Sequence, residues 1–276
     1  MEFFTNDLNL STLIEGASNS KYIDATKVHG YLKDNSAPVI AVDTLSSTNT
    51  VIKRLADANL PDKSILIADN QTNGRGRVGK SFFSPDGSGI YMSLLIRRQF
   101  SGKDTMMITP AVAVAMHRVL NGYADTVKIK WVNDIYISDK KVCGILTESS
   151  FSVSGNTDYI VIGVGLNLFK PTNDFPADII DRATSLFNKS VDINREQLIA
   201  QIANEIFNTI DNFNLREITD CYVNNSWLDG KTVTILRGND CFDAEVVGIN
   251  SSLELVVKSK KGIVSLSSGD VFVKAD

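Results

Sequence analysis

Short apolar runs separated by polar, turn-forming stretches set the rhythm of residues 38–227, and the period of each run predicts its element. Residues 39–42 are apolar and end at Asp43. Ser46, Ser47, Thr48 and Asn49 then offer N-cap oxygens for a helix carrying Val51, Ile52 and Leu55. Residues 65–68 predict a strand entering a glycine-rich loop, and residues 89–97 a strand leaving it. Thr109 and Pro110 predict a helix start, threonine as cap and proline at the first helical position, with an apolar stripe through Leu120 and a stop at Gly122. Residues 127–131 and 135–137 flank the polar Val132-Asn133-Asp134, and a turn at residues 139–141 leads into residues 142–147, the pattern of a hairpin. Residues 159–168 read as a fully buried strand. In it Gly163 and Gly165 mark either a bulge or tight sheet packing, or a place where something approaches closely. Residues 169–190 form an irregular connection of the kind that borders a site. Asn194 caps a helix running to about Phe213, with Leu198, Ile202 and Ile206 on its core face.

After Trp227 the texture changes to five short strands in under fifty residues, with turns at Gly238-Asn239, Asn250-Ser251 and Lys261-Gly262. This argues a small β-barrel or sandwich and a domain boundary near residue 228. Residues 1–36 are polar and rich in Asn and Ser, with one helical candidate around residues 24–33.

A chain of 276 residues, 43% hydrophobic and 22% charged, accommodates a main domain of about 200 residues and a small one. The formal net charge of −4 argues against a whole-molecule affinity for nucleic acid and leaves room for a local basic patch. The sequence shows neither a basic start followed by a long apolar run nor eighteen uninterrupted apolar residues, so a soluble, cytoplasmic protein with no membrane partner is expected. Cys143, Cys221 and Cys241 lie far apart and read as free thiols; His29 and His117 belong to no acid or cysteine motif.

The glycine-rich loop satisfies two phosphate signatures at once. Gly74, Gly76 and Gly79 spell G-x-G-x-x-G, while residues 74–81 spell G-x-x-x-x-G-K-S. Both signatures need a helix to begin at the loop, because its unpaired N–H groups and dipole make the anion site. Here Phe82, Phe83 and Ser84 are followed by Pro85-Asp86-Gly87, a turn that leaves no room for one. Arg75 and Arg77 bring fixed charge and forked donors instead. Together with Ser47, Thr48, Asn49, Gln71, Lys130, Asn133, Asp134, Lys141 and Asn167, they form a set of polar groups at strand ends and loops. The set is rich in cations and has no nucleophile–histidine pair, which suits moving a phosphate-bearing group by electrostatic stabilisation.

Several motifs in order carry a resemblance across residues 38–276: Gly74-Arg75-Gly76-Arg77-x-Gly79 with Phe83-Ser84-Pro85; Lys130-Trp131-x-Asn133-Asp134; Lys141-x-x-Gly144-Ile145-Leu146-x-Glu148; and Gly163-x-Gly165-x-Asn167. With Ser47-Thr48-Asn49 and residues 183–186, they resemble the biotin protein ligases. The resemblance implies an α+β fold: a mixed-sheet catalytic domain at 37–227 and an SH3-like barrel at 228–276, with the role of residues 1–36 open. It implies two reactions, activation of biotin by ATP with Mg²⁺ to give biotinyl-AMP, then transfer to a lysine of a biotin carboxyl carrier protein domain. By similarity, Ser47, Thr48, Asn49, Gln71, Gly74, Arg75, Gly76, Arg77, Lys141 and Gly144 would bind biotin. Arg75, Arg77, Phe82, Lys130, Asn133, Gly163 and Asn167 would bind the nucleotide. Arg75, Asp134 and Lys141 would be catalytic, Lys141 at the biotin carboxylate and α-phosphate and Asp134 at the incoming amine. Three positions depart from the family pattern: Phe82 stands for tryptophan, Val132 for proline and Lys274 for arginine. The resemblance leaves two rival readings, a ligase that is also a DNA-binding repressor, and a lipoate-type ligase. Lys21, Lys27 and Lys33 are the only cations of residues 1–36, too few for a basic footprint, so no DNA partner is expected. A sheet-edge homodimer remains open.

Overall fold

The computed structural model describes residues 18–151, 157–189, 191–237 and 240–273. Lys274, the 238–239 turn and residues 1–17 lie outside the described residues. Seven strands make one mixed sheet: β1 (Val39–Leu45), β2 (Ile65–Gln71), β3 (Gly89–Ile96), β4 (Val127–Lys130), β5 (Asp134–Ile137), β6 (Lys140–Phe151) and β7 (Thr157–Asn167). Their order is β1-β2-β3-β7-β6-β5-β4; β1 and β2 run parallel and every other pair antiparallel. The parallel pair is joined by a crossover through α2 (Thr48–Asp57), and a longer one through Gly102–Leu120 carries the chain from β3 to the far edge at β4. The remaining helices are α1 (Ala25–Tyr31), α3 (Gly102–Leu120), α4 (Arg195–Asp211) and α5 (Leu215–Asn224).

The two-residue period of the strands divides the core. Ile65, Ile67, Leu94, Ile96, Ile160, Ile162 and Val164 face α3 and α4, whereas Leu66, Ala68, Leu95, Tyr159 and Val161 face α2 with Ile52 and Leu55. Along β7 the α2 side continues past Val161 to Gly163, Gly165 and Asn167, beyond the helix start. Neighbours in register carry the same face across the sheet: Ser93 and Leu146 beside Gly163, Tyr91 and Gly144 beside Gly165, Asp134 beside Gly144. This half-face, uncovered by helix, is where the polar residues of the sequence gather.

After Trp227 come β8 (Thr232–Arg237), β9 (Asp240–Ile249), β10 (Leu255–Ser259), β11 (Gly262–Leu266) and β12 (Asp270–Val273). They form an antiparallel sheet ordered β11-β10-β9-β8-β12, three successive hairpins whose last strand returns to β8. The small sheet is sewn to the large one. Val233, Ile235, Val246 and Val257 share a core with Ile129 and Trp131, and the Trp131 indole donates to the Leu253 carbonyl at 3.0 Å.

The α+β class and the five C-terminal strands follow the sequence pattern; one helix starts elsewhere than expected, one helix is additional, and the glycine pair of β7 resolves between its two readings. The helix expected to start at Thr109-Pro110 starts at Gly102, because Ser101 caps it by accepting from the Asp104 N–H; Pro110 lies inside. The proline forgoes a bond to the carbonyl of Met106, a residue that is exposed. A second helix, α5, follows α4 after a short break; Asn214 caps it by accepting from the Glu217 N–H. Gly163 and Gly165 make no bulge: β7 keeps register with β3 and β6 through both. The Trp131–Val132 peptide is cis.

Candidate active site

The open half-face is the floor of a cleft of about 150 Å³, open to solvent, and the 74–81 loop is its roof. No helix follows the loop. A single 3-10 turn, Arg77–Gly79, closes it, with Gly76 N–H bonded to the Lys80 carbonyl at 2.7 Å and Phe82 N–H to the Gly74 carbonyl at 2.8 Å. Gly74 has to be glycine, since a Cβ there would lie 2.3 Å from the Phe82 carbonyl oxygen.

At the α2 end the floor of the cleft is lined by neutral groups. Gln71, where β2 ends, accepts from the Thr48 N–H at 2.8 Å and the Thr48 hydroxyl at 3.2 Å, and donates to Ser84 Oγ at 2.8 Å. Ser47 holds the N-cap position but its side chain makes no capping bond, and the Thr48 N–H is held by Gln71 instead. Ser93 donates to Asn49 Oδ1 at 2.6 Å and to Thr48 Oγ1 at 2.8 Å. Asn49 lies over Gly163, where a Cβ would stand 2.1 Å from its Oδ1.

The β5–β6 end is charged. Lys141 and Asp134 form an ion pair at 2.7 Å, with the ammonium 5.8 Å from the centre of the Phe82 ring. Phe82 lies over Gly165, where a Cβ would meet its ring at 2.5 Å, and meets Tyr91 edge-on at 6.4 Å. Arg77 donates to Asn133 Oδ1 at 3.3 Å, and the Asn133 amide to the Ile145 carbonyl at 2.7 Å. Arg75 points the other way, toward α2, and pairs with Glu148 at 3.0 Å.

Of the residues singled out in the sequence, Ser47, Thr48, Asn49, Gln71, Arg75, Gly76, Arg77, Phe82, Asn133, Asp134, Lys141, Gly144 and Gly163 line this one cleft. Gly74 lies at the base of the roof loop. Lys130 stands apart, its ammonium 5.2 Å from the centre of the Tyr136 ring and 5.6 Å from that of Trp227, and burial lowers its pKa. Asn167 also stands off the lining and donates to the Thr184 carbonyl at 2.9 Å. Ser93 and Tyr91, beside Gly163 and Gly165 on β3, are not among the residues the sequence singles out. A serine inside the apolar run of β3 was the available signal, for a buried hydroxyl needs a partner.

Residues 41–167 match the biotin/lipoate A/B protein ligase family. The bifunctional ligase/repressor BirA of Bacillus spizizenii is 31% identical over 238 residues, 84% of this chain and 73% of that protein. The chain belongs to the biotin/lipoate protein ligase family. The biotin–protein ligase of Homo sapiens is 34% identical over 132 residues, 45% of this chain and 18% of that protein. The biotin protein ligase of Aquifex aeolicus, solved in complex with biotin and ATP, superposes with a TM-score of 0.69 at 24% identity, over 87% of this chain and 99% of that one. That likeness extends the ligase fold through the small sheet, whose topology fits the SH3-like module expected after the catalytic sheet.

Proposed function

We infer that this chain is an ATP-dependent biotin protein ligase, which joins biotin to AMP and then transfers the biotinyl group to a lysine of a biotin carboxyl carrier domain. The observation that carries this reading is the polarity of the cleft. Neutral donors and acceptors at Thr48 and Gln71 suit a ureido head, and Lys141, Arg77 and Asp134 wait at the other end, under a roof held by Phe82.

In the first reaction a carboxylate oxygen attacks the α-phosphorus and pyrophosphate leaves with the bonding pair. Two anions meet, so cations must neutralise charge as it develops. Lys141 is placed for this, its flexible stem letting it leave Asp134 for the carboxylate and the α-phosphate. Arg77 reaches the same end from the roof. Mg²⁺ would come with the ATP substrate and help to neutralise its phosphates. The resemblance assigns Arg75, Arg77, Phe82, Lys130, Asn133, Gly163 and Asn167 to the nucleotide, with Asn167 and Gly163 at the adenine, although Lys130 and Asn167 stand off the cleft lining.

In the second reaction the acceptor's ε-amine adds to the acyl carbon and AMP leaves. Once Lys141 has turned to the phosphate, Asp134 is free to orient the amine and take its proton. The roof loop keeps water from the mixed anhydride meanwhile.

Residues 37–227 act as the catalytic domain and 228–276 as the SH3-like one in this reading. Ligation without DNA binding is the expectation, although the Bacillus relative is named as a repressor too; a gel shift with promoter DNA tests it. The described residues contain no helix long and apolar enough to cross a membrane. A homodimer through a sheet edge would use the part of β1 or β4 not already bonded by residues 18–20 or 225–227. The ligase reading is tested by transfer: with ATP, Mg²⁺ and biotin, a carrier domain should gain one biotinyl group, and a carrier lacking its acceptor lysine should gain none. Equal labelling of both would overturn it.

A further inference from the structure

Glu148 ends the stretch that begins at Lys141, yet the ligase chemistry gives it no task. Its place is specific. It shares the site's face on β6, opposite Val161, and its side chain is 17% exposed. One carboxylate oxygen, Oε2, accepts from the Asn49 amide at 3.0 Å and from Arg75 Nη1 at 3.0 Å; the other, Oε1, accepts from Lys53 Nζ at 3.2 Å. Asn49 belongs to the floor, in the first turn of α2; Arg75 belongs to the roof; Lys53 is one turn further along α2, outside the cleft lining. A single carboxylate therefore fastens the roof loop to the floor at the neutral end of the cleft, away from Lys141 and Asp134.

We propose that Glu148 is a positioning residue for biotin: through Arg75 it holds the 74–81 loop down over the head-group end of the cleft, and so sets biotin affinity and the lifetime of the bound adenylate without touching the reacting atoms. The inference rests on the ligase reading. A charge-assisted bond from a forked guanidinium fits a fastening role, because it fixes direction as well as distance. The base of the loop is anchored by Thr72 N–H on the Leu45 carbonyl and Asn73 N–H on the Ser46 carbonyl, while from Gly74 onward the backbone bonds run within the loop, between Gly74, Gly76, Arg77, Lys80 and Phe82. The same grip turns the Arg75 guanidinium away from the phosphate end, which leaves Arg77 and Lys141 as the roof and floor cations nearest the chemistry.

Glu148→Gln separates the two bonds. The amide oxygen can still accept from Asn49, while the charge that pairs with Arg75 and Lys53 is gone. In full-length protein, biotin-dependent pyrophosphate release and the decay of bound biotinyl-AMP are measured for wild type, E148Q, R75M, the double variant and K53M. E148Q is expected to raise the KM for biotin tenfold or more and shorten the adenylate's lifetime by a similar factor, with kcat for adenylation within about threefold and the melting temperature retained. In the R75M background the same change should alter both by less than twofold, and K53M should lie within twofold of wild type. An unchanged KM and lifetime in E148Q would overturn the proposal, as would an effect of equal size with and without Arg75, or a K53M defect matching E148Q. Failure of wild type to form biotinyl-AMP would instead count against the ligase reading.

Discussion

A methyl group added at Gly163 should act on the site through one buried amide. Its Cβ would lie 2.1 Å from Asn49 Oδ1, 2.8 Å from Cγ and 3.0 Å from Nδ2, closer than side chains tolerate. The strand cannot yield, since Gly163 is paired on both sides, with Ser93 and with Leu146. Asn49 must therefore move, and it is 3% exposed and holds three bonds: from Ser93 at 2.6 Å, to the Leu146 carbonyl at 3.2 Å and to Glu148 at 3.0 Å. A neutral bond contributes about 1 kcal/mol and one to a charged group about 1.5–3 kcal/mol, so losing most of the set costs about 3 kcal/mol. For a protein of this size that is a fall in melting temperature of roughly 6–12 °C. Removing the amide first removes the collision, so Gly163→Ala in an Asn49→Ala background should cost less than about 1 kcal/mol, a coupling of about 2 kcal/mol. Thermal and urea melts of the four proteins measure it. A Gly163→Ala protein melting within 2 °C of wild type, or a loss equally large in both backgrounds, would refute the close approach of Asn49 to the strand.

Lys141→Met should lower adenylate formation by about 10²–10³-fold, the usual loss for a group that stabilises developing charge, while the fold survives; near wild-type pyrophosphate release would contradict its assignment. His117 is 9% exposed and burial holds its pKa below the usual value, so the unfolded chain takes up a proton first. Stability from this group is whole above about pH 6.5 and declines as pH falls below it. His117→Gln should flatten the fall in melting temperature between pH 7.5 and 5.5, and an unchanged slope would contradict the reasoning. Lys80 and Asp270 tie the roof loop to the small sheet at 2.7 Å, but their side chains are 54% and 31% exposed. Asp270→Asn should cost at most about 1 kcal/mol and less at high salt; a larger, salt-independent loss in melting temperature would show the pair to be a structural joint.

The parts legible in the sequence are those set by local pattern. Apolar runs located every strand of the catalytic sheet, and the turn residues after Trp227 located the small one. The glycines at 163 and 165 announced a close approach, and Pro85 after the loop excluded a phosphate-cradling helix. What stayed hidden depends on partners far along the chain. Ser47 looks like a helix cap, yet its side chain makes no capping bond, and the Thr48 N–H beside it is held by Gln71 from 23 residues along the chain. Glu148 looks like the end of a strand motif until Arg75 folds onto it from 73 residues away. Pro110 misled because proline at a helix start and proline one turn or more inside satisfy the same apolar stripe, and only the Ser101 cap decides between them.

The central claim is that the neutral end of the cleft selects a head group able to exchange hydrogen bonds and the charged end activates its carboxylate. Its most direct test is the mass of the acyl-adenylate formed from purified protein, ATP and Mg²⁺ with biotin or lipoate at equal concentration. A ureido group can exchange hydrogen bonds with Thr48 and Gln71, whereas a dithiolane offers them neither donor nor acceptor in place of the bonds they make with each other and with Ser84. The account predicts biotinyl-AMP and no detectable lipoyl-AMP; lipoyl-AMP in comparable yield, or no adenylate from biotin, would contradict it.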